Sequence, residues 1–422
     1  MMRRLIDRRE FVRLLGLSGA ALVVGSKAGF AQTEATQQDS TNAPTNQPSI
    51  QPSRKVPKRK FGKTGIEVPI LALGGIFDIP TNQIVLERAY EYGVTYWDTA
   101  YSYQGGRSEQ GMGMFFERHP ERRKEIFLVT KTGARNPHDM TAQLNESLER
   151  LKTDYVDLYF LHGISDPNVL SNEIKEWAEK AKAEKKIRFF GFSTHANMEV
   201  CLEAAAKLGW IDGIMLTYNY RVMNTDRMKA AIEAAAKAGI GLTAMKTQAQ
   251  PPRRRGQQSQ EQGQDPQEAM VKHFTERGFT PEQARLKIVW EDEHIASICS
   301  AMYTISVLQA NVAAALDKTQ LSWVDKAVLF AEAEQSKCEY CAGCTRFCEA
   351  AVHHAVPIGD IMRALMYRNS YGDESLARET LSSSVSLAWW KINPAILKVA
   401  EQACPNRLPI ASLVQEAATL IA

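Results

Sequence analysis

The stretch Thr95-Tyr-Trp-Asp-Thr-Ala-Tyr-Ser-Tyr103 decides how the chain is read. Thr95 to Thr99 has the aromatic and β-branched make-up of a short strand, and a polar loop follows. Asp98 therefore stands at the strand end and Tyr103 just beyond it. Two later strands end the same way, Ile126-Phe-Leu-Val-Thr-Lys131 and Val156-Asp-Leu-Tyr-Phe-Leu-His162. An acid, a phenol, an ammonium and an imidazole thus sit at the exits of three successive predicted strands. In a parallel barrel those exits open on one face, where catalytic groups gather.

Outward from this stretch, strands and helices alternate. Candidate strands are Ile70–Leu73, Thr95–Thr99, Ile126–Thr130, Val156–Leu161, Phe189–Ser193, Ile211–Leu216, Gly241–Met245 and Ile295–Ser300. Helical periodicity marks Gln83–Tyr92, Thr141–Leu151, Asn172–Ala183, Met198–Lys207 and Asp226–Lys237. Eight such units predict an α/β fold, an eight-stranded parallel (β/α)8 TIM barrel, with an open doubly wound sheet as the alternative. No Gly-rich phosphate fingerprint follows the first strand, which counts against the second. Arg59 to Val68 reads as a hairpin turning at Lys63-Thr-Gly65. The Gln-, Arg- and Pro-rich segment from Thr247 to Glu268 reads as a loop on the mouth side after the seventh strand.

The chain has 422 residues and a formal net charge of +3, too small a field to argue for a nucleic-acid partner. The basic runs Arg54–Lys60 and Arg253–Arg255 lie in polar stretches and read as solvated. Residues 1–31 resemble a twin-arginine export signal: Arg8-Arg9, then Phe11, an apolar run from Leu14 to Val24, and small residues to Ala31. This predicts export to the periplasm by that machinery, or a membrane tether if the signal stays uncleaved. Residues 32–57 are too polar to bury a core and read as a linker. The barrel is expected over 58–325 and a small all-α ferredoxin-like domain over 326–422.

Asp98-Thr-Ala-x-x-Tyr103, Lys131 after a strand and Phe160-Leu-His162 resemble, in order and spacing, the catalytic tetrad of the aldo-keto reductases. Phe61–Val68, Gly191-Phe-Ser193 and Tyr218-Asn219 resemble that family too. Carbonyl reduction places negative charge on oxygen, so a proton donor must stand beside it. A free Tyr, with a pKa of about 10, is a weak acid, and a nearby ammonium lowers that value. The expected roles are therefore Tyr103 as general acid/base, Lys131 as its activator, Asp98 as the partner of Lys131, and His162 as the group that orients the carbonyl. The resemblance implies NADP or NAD, with Ser193, Asn219 and Asn311 on the dinucleotide side. Two departures stand against it. Ile214-Met-Leu-Thr217 lacks the amide side chain that members carry in the sixth strand. Ala301-Met-Tyr-Thr-Ile-Ser306 lacks the basic residue of NADP-preferring members.

Of seven cysteines, four lie close together as Cys338-x-x-Cys341-x-x-Cys344-x-x-x-Cys348, the bacterial ferredoxin spacing for a 4Fe–4S cluster. A zinc site more often splits its ligands into two separated pairs, and disulfides are the other alternative. The region also reads as a decayed duplication: Val356-Pro-Ile-Gly-Asp-Ile361 and Leu408-Pro-Ile-Ala-Ser-Leu413 each start a helix. In two-cluster ferredoxins the fourth cysteine of each motif serves the other cluster. That logic prefers Cys338, Cys341, Cys344 and Cys404, with Cys348 left over. The other assignment uses Cys348 and leaves Cys404 structural. Cys201 and Cys299 read as core. Trp389-Trp390 reads as core packing, and His353-His354 as loop residues.

Together these readings predict an exported oxidoreductase acting on a carbonyl or sugar-like small molecule, with a redox partner possible through the cluster. The alternative is an electron-transfer or interaction protein whose nucleotide site has decayed.

Overall fold

The computed structural model describes residues 54–248, 266–384 and 392–421. Residues 1–53, the arginine run at 253–255 and the tryptophan pair at 389–390 lie outside these. A hairpin, β1 (Lys58–Lys60) with β2 (Glu67–Pro69), opens the described chain. Eight strands then form a closed, wholly parallel barrel. They are β3 (Leu71–Gly74), β4 (Tyr96–Asp98), β5 (Phe127–Thr132), β6 (Val156–Leu161), β7 (Ile187–Thr194), β8 (Gly213–Thr217), β9 (Gly241–Met245) and β10 (Ile295–Ala301). Closure of β10 on β3 excludes the open-sheet alternative.

The surrounding helices are α1 (Gln83–Glu91), α2 (Arg107–Arg118), α3 (Pro137–Arg150), α4 (Asn172–Ala183), α5 (Met198–Leu208), α6 (Asp226–Lys237), α7 (Pro266–Glu276), α8 (Pro281–Trp290) and α9 (Ile305–Leu316). Their starts follow local chemistry. Pro137 opens α3, and the Asn136 side chain accepts from the Asp139 amide. Thr280 and Gln283 close a reciprocal capping box on α8. Buried aliphatic and aromatic side chains between this ring and the strands form the main core, each worth about 1.5–3 kcal/mol.

The hairpin stoppers one end of the barrel. Phe61 is fully buried, with its ring 5.4 Å from Phe127 and 6.4 Å from Tyr96. Gly241 makes room for it, since a Cβ there would lie 2.5 Å from the Phe61 ring. The opposite end, where the strands exit, stays open for the site.

Beyond the barrel run α10 (Trp323–Gln335), α11 (Thr345–Ala351), α12 (Ile358–Tyr371), α13 (Glu374–Ser384), α14 (Pro394–Ala403) and α15 (Ile410–Ala418). The expected boundary at 325 falls inside α10. Val328, Leu329 and the later Tyr340 belong to the barrel's core, whereas a second core runs from Cys348 to Leu420. The apolar face of α10 is covered by the barrel, so the division lies past residue 340.

The duplication is visible in the backbone. Pro357 (φ −80°, ψ 70°) and Pro409 (φ −76°, ψ 67°) enter α12 and α15 in nearly the same conformation. Glu349 accepts from the Gly359 amide, and Glu401 from the Ala411 amide. Equivalent positions are 52 residues apart in each case, which pairs Cys348 with Ala400 and Cys404 with Val352. Cys348 and Cys404 therefore do not occupy equivalent positions in the repeat that the helix starts define.

Candidate active site

The four predicted catalytic side chains meet at the open end of the barrel. Asp98 closes β4, Lys131 is the penultimate residue of β5, and His162 follows β6 with its amide bonded to the Thr132 carbonyl at 2.8 Å. Tyr103 is brought back over them by a tight turn, its amide 3.1 Å from the Ala100 carbonyl, and Gln104 takes the left-handed conformation (φ 53°). Lys131 is 1% exposed. Its Nζ donates to Asp98 Oδ2 at 2.7 Å, to the Thr99 carbonyl at 2.8 Å and to Tyr103 Oη at 3.4 Å. The Tyr103 and His162 rings meet edge to face with centroids 5.5 Å apart. Asp98, Tyr103 and His162 line a cavity of about 1500 Å³.

Electrostatics here differ from the expectation in one respect. Tyr103 is not lowered. Burial, followed by the negative charge of Asp98, pushes it well above the ordinary phenol value, and Asp98 takes up the charge of Lys131. The phenol is therefore held as a phenol. Burial, then the charges of Lys131, Arg363, Arg135 and Lys246, push His162 well below its usual range, so it is a neutral imidazole. Asp98 Oδ1 is buried without a hydrogen-bond partner.

The three residues expected on the dinucleotide side separate. Asn311 lines the cavity, tied to Gln248 and Ser300 at 3.1 Å each. Ser193 is not among the lining residues; its Oγ accepts from the amide of Gly163, which is, at 2.9 Å. Asn219 is fully buried and clamps structure: its Nδ2 donates to the Lys246 carbonyl at 3.0 Å and to Tyr340 Oη at 2.9 Å.

Among the lining residues that were not singled out from the sequence are His195, Lys246, Arg363 and Tyr367. His195, one residue past β7, lines the cavity with its Nδ1 3.1 Å from Thr217 Oγ1. Lys246 follows β9 directly. Both stand at strand exits, the same signal that exposed His162. Arg363 and Tyr367 come from α12, far along the chain, and no local pattern marks them.

The cysteines also sort themselves. Cys341, Cys344, Cys348 and Cys404 line one small chamber with Ile358 and Met362, whereas Cys338 is exposed on a single turn over Lys337–Glu339. Cys348 and Cys404, the two alternatives for the fourth ligand, thus share this chamber with Cys341 and Cys344, and Cys338 is not among its lining residues. Burial raises the Cys341 and Cys344 thiols and takes Cys348 to about 12. Among the described residues, no group of three or more His, Cys, Asp or Glu side chains is arranged to hold a metal ion. His353 and His354 take left-handed turn conformations.

Comparison with known proteins agrees with this geometry. The model of the aldo/keto reductase family matches residues 75–328. The chain is 30% identical to aldo-keto reductase yakc (NADP(+)) of Schizosaccharomyces pombe over 204 residues, covering 44% of this chain and 57% of that one. It is 33% identical over 153 residues to the oxidoreductase YqkF of Bacillus subtilis, covering 32% of this chain and 48% of that one. L-galactose dehydrogenase of Arabidopsis thaliana is 25% identical over 293 residues, 63% of this chain and 90% of that one. The chain thus spans about half the length of the first two. Among solved structures, an aldo-keto reductase of Klebsiella pneumoniae in complex with NADPH superposes with a TM-score of 0.52 at 25% identity, over 65% of this chain and 93% of that one. The holo form of an aldo-keto reductase of Bacillus halodurans, 23% identical, shows the same fold with a TM-score of 0.53 over 66% of this chain and 96% of that one. With the family match covering more than half of its length and the tetrad assembled at the mouth of a closed parallel barrel, this chain belongs to the aldo/keto reductase family.

Proposed function

We propose that the protein is an oxidoreductase that interconverts a carbonyl and an alcohol on an aldehyde or sugar-like substrate. It uses a nicotinamide dinucleotide in the barrel cavity and carries an accessory iron–sulfur cluster. The observation that carries the reading is the buried Lys131, 2.7 Å from Asp98 and 3.4 Å from Tyr103 Oη, with Asp98, Tyr103 and His162 all lining one cavity. Family membership supports the reaction class, and the NADP(+) and NADPH in two relatives' names support the cofactor.

The cavity suits an elongated ligand. Asn311 and Gln248 line it on one side, and Asp98 Oδ1 is an unpartnered acceptor suited to a ribose hydroxyl. When bound, the nicotinamide supplies hydride to the carbonyl carbon. The remaining work belongs to the chain. His162, neutral, donates an N–H to the carbonyl oxygen and orients it. Tyr103 Oη gives its proton to that oxygen as charge develops there. The Lys131 ammonium stabilises the phenolate left behind, and Asp98 holds the ammonium in place.

The cysteine chamber fits a cluster by its donors: soft thiols from three segments around an apolar space. A cluster meets each cysteine at a different iron, so its ligands need not converge on one point as those of a single ion must. Bound there, a cluster would supply one-electron transfer.

The test is Tyr103→Phe in protein purified anaerobically. Aldehyde reduction by NADPH is expected to fall about 10²–10⁴-fold with the circular dichroism spectrum unchanged. Undiminished turnover would remove the assignment.

A further inference from the structure

The barrel cavity has a second wall that the tetrad does not use. Lys246 projects from the end of β9, and Arg363 and Tyr367 come down from α12 of the C-terminal region. Lys246 Nζ donates to Tyr367 Oη at 2.9 Å and sits 4.2 Å from the centre of that ring. Arg363 pairs with Asp360 at 2.9 Å.

Lys246 is a non-glycine residue in the left-handed region, at φ 59°. Such a conformation is strained for a side chain with a Cβ and persists where surrounding structure enforces it. Here Asn219 enforces it by holding the Lys246 carbonyl at 3.0 Å. The lysine is thus aimed at the cavity at an energetic cost.

Three neighbouring groups report the field this wall creates. The charges of Lys246 and Arg363 outweigh burial and Asp360, and bring the Tyr367 phenol below its ordinary range. Burial, then Arg363 and Lys246, push His195 well below its usual value, and His162 responds to the same two cations. The Tyr367 phenol, lowered against its own burial with Lys246 Nζ 2.9 Å from its oxygen, marks a place of positive potential. Lys246, Arg363 and Tyr367 present donors to it, and the Asp360 carboxylate on the same wall offsets part of the Arg363 charge.

We propose that Lys246, Arg363 and Tyr367 form an anion subsite that holds a carboxylate or phosphate group while the rest of the ligand reaches Tyr103. It rests on the reading of Tyr103 as the reacting end of the cavity. Two ligands carry that chemistry there: a carbonyl substrate bearing a carboxylate, or the phosphates of the dinucleotide. In either case the C-terminal region supplies two of the three residues, so the barrel alone would bind weakly.

The experiment is calorimetric titration of the full chain with oxalate and, separately, with inorganic pyrophosphate. Wild type, Arg363→Gln and Lys246→Gln are compared, each first shown by thermal melting to be folded. Binding that weakens at least about tenfold in both variants supports the subsite, as expected for loss of a charge-assisted contact. Preference for oxalate identifies the substrate carboxylate; preference for pyrophosphate identifies the dinucleotide. Absence of binding in wild type, or binding that neither variant weakens, overturns the proposal. Aldehyde turnover on the same preparation tests the earlier reading by itself. Turnover without anion binding removes only the subsite, and anion binding without turnover removes only the reductase.

Discussion

Tyr103 and His162 are tuned in opposite directions by one cavity. Burial resists charge on both, so the phenol holds its proton longer than usual and the imidazole refuses one. The consequence for pH follows from the signs. Reduction needs the Tyr103 proton, and a raised pKa means that form is lost only when pH climbs past the raised value. It also needs neutral His162, and a lowered pKa means that form is lost only when pH falls well below the usual range. The rate of reduction is expected to stay level from roughly pH 6.5 to roughly pH 10, between the ordinary values of the two groups. A stopped-flow profile that bends inside this window would contradict the environment described for one of them. The tetrad itself was legible because Asp98, Lys131 and His162 stand at the ends of β-rich stretches and Tyr103 follows the first of them by five residues. What was not legible was the direction of the Tyr103 shift: it depends first on how deeply the ring is buried and then on the nearby Asp98 carboxylate, both set in three dimensions.

Among elements, the cysteine chamber shows how spacing and placement diverge. The run Cys338 to Cys348 reads as one motif, yet its first member lies on an exposed turn while α11 carries Cys348 inward. Cys404 closes the chamber as the residue that ends α14. If the chamber holds a cluster, Cys348→Ser and Cys404→Ser should each abolish its visible absorbance and stoichiometric iron, whereas Cys338→Ser should keep both. Loss of iron in Cys338→Ser with retention in Cys348→Ser would reverse the ligand assignment. The duplicated helix starts were readable from Val-Pro-Ile and Leu-Pro-Ile, but their register was not. The two glutamates that cap the helices fix it, and they act across ten residues rather than within a motif.

The whole molecule is joined where the cysteine loop meets the barrel mouth. The Gly343 carbonyl accepts from the Asn197 amide at 2.7 Å, and the Asn197 side chain accepts from the Arg346 amide at 3.0 Å. Arg221 and Glu332, both almost fully buried, tie the loop after β8 to α10. Gly343 itself has φ +73°, and a Cβ there would stand 2.3 Å from the His195 carbonyl. Gly343→Ala is expected to cost about 1–3 kcal/mol and to loosen the C-terminal region from the barrel. Calorimetry should then show the single melt broadening or splitting; an unchanged melt would mean that the contact contributes little to docking. The amino-acid sequence by itself determined the eight strand–helix units, the side chains at the strand exits and the presence of a cysteine-rich helical region. Those features rest on local periodicity and on alternation of a few residues. Only the tertiary structure decided that α12 forms part of the cavity wall, that Arg363 and Tyr367 join Lys246 there, and that Cys338 stands outside the chamber that Cys341, Cys344, Cys348 and Cys404 line. Each of these depends on which buried faces of two separate cores find one another, a matter of long-range packing that no short stretch records.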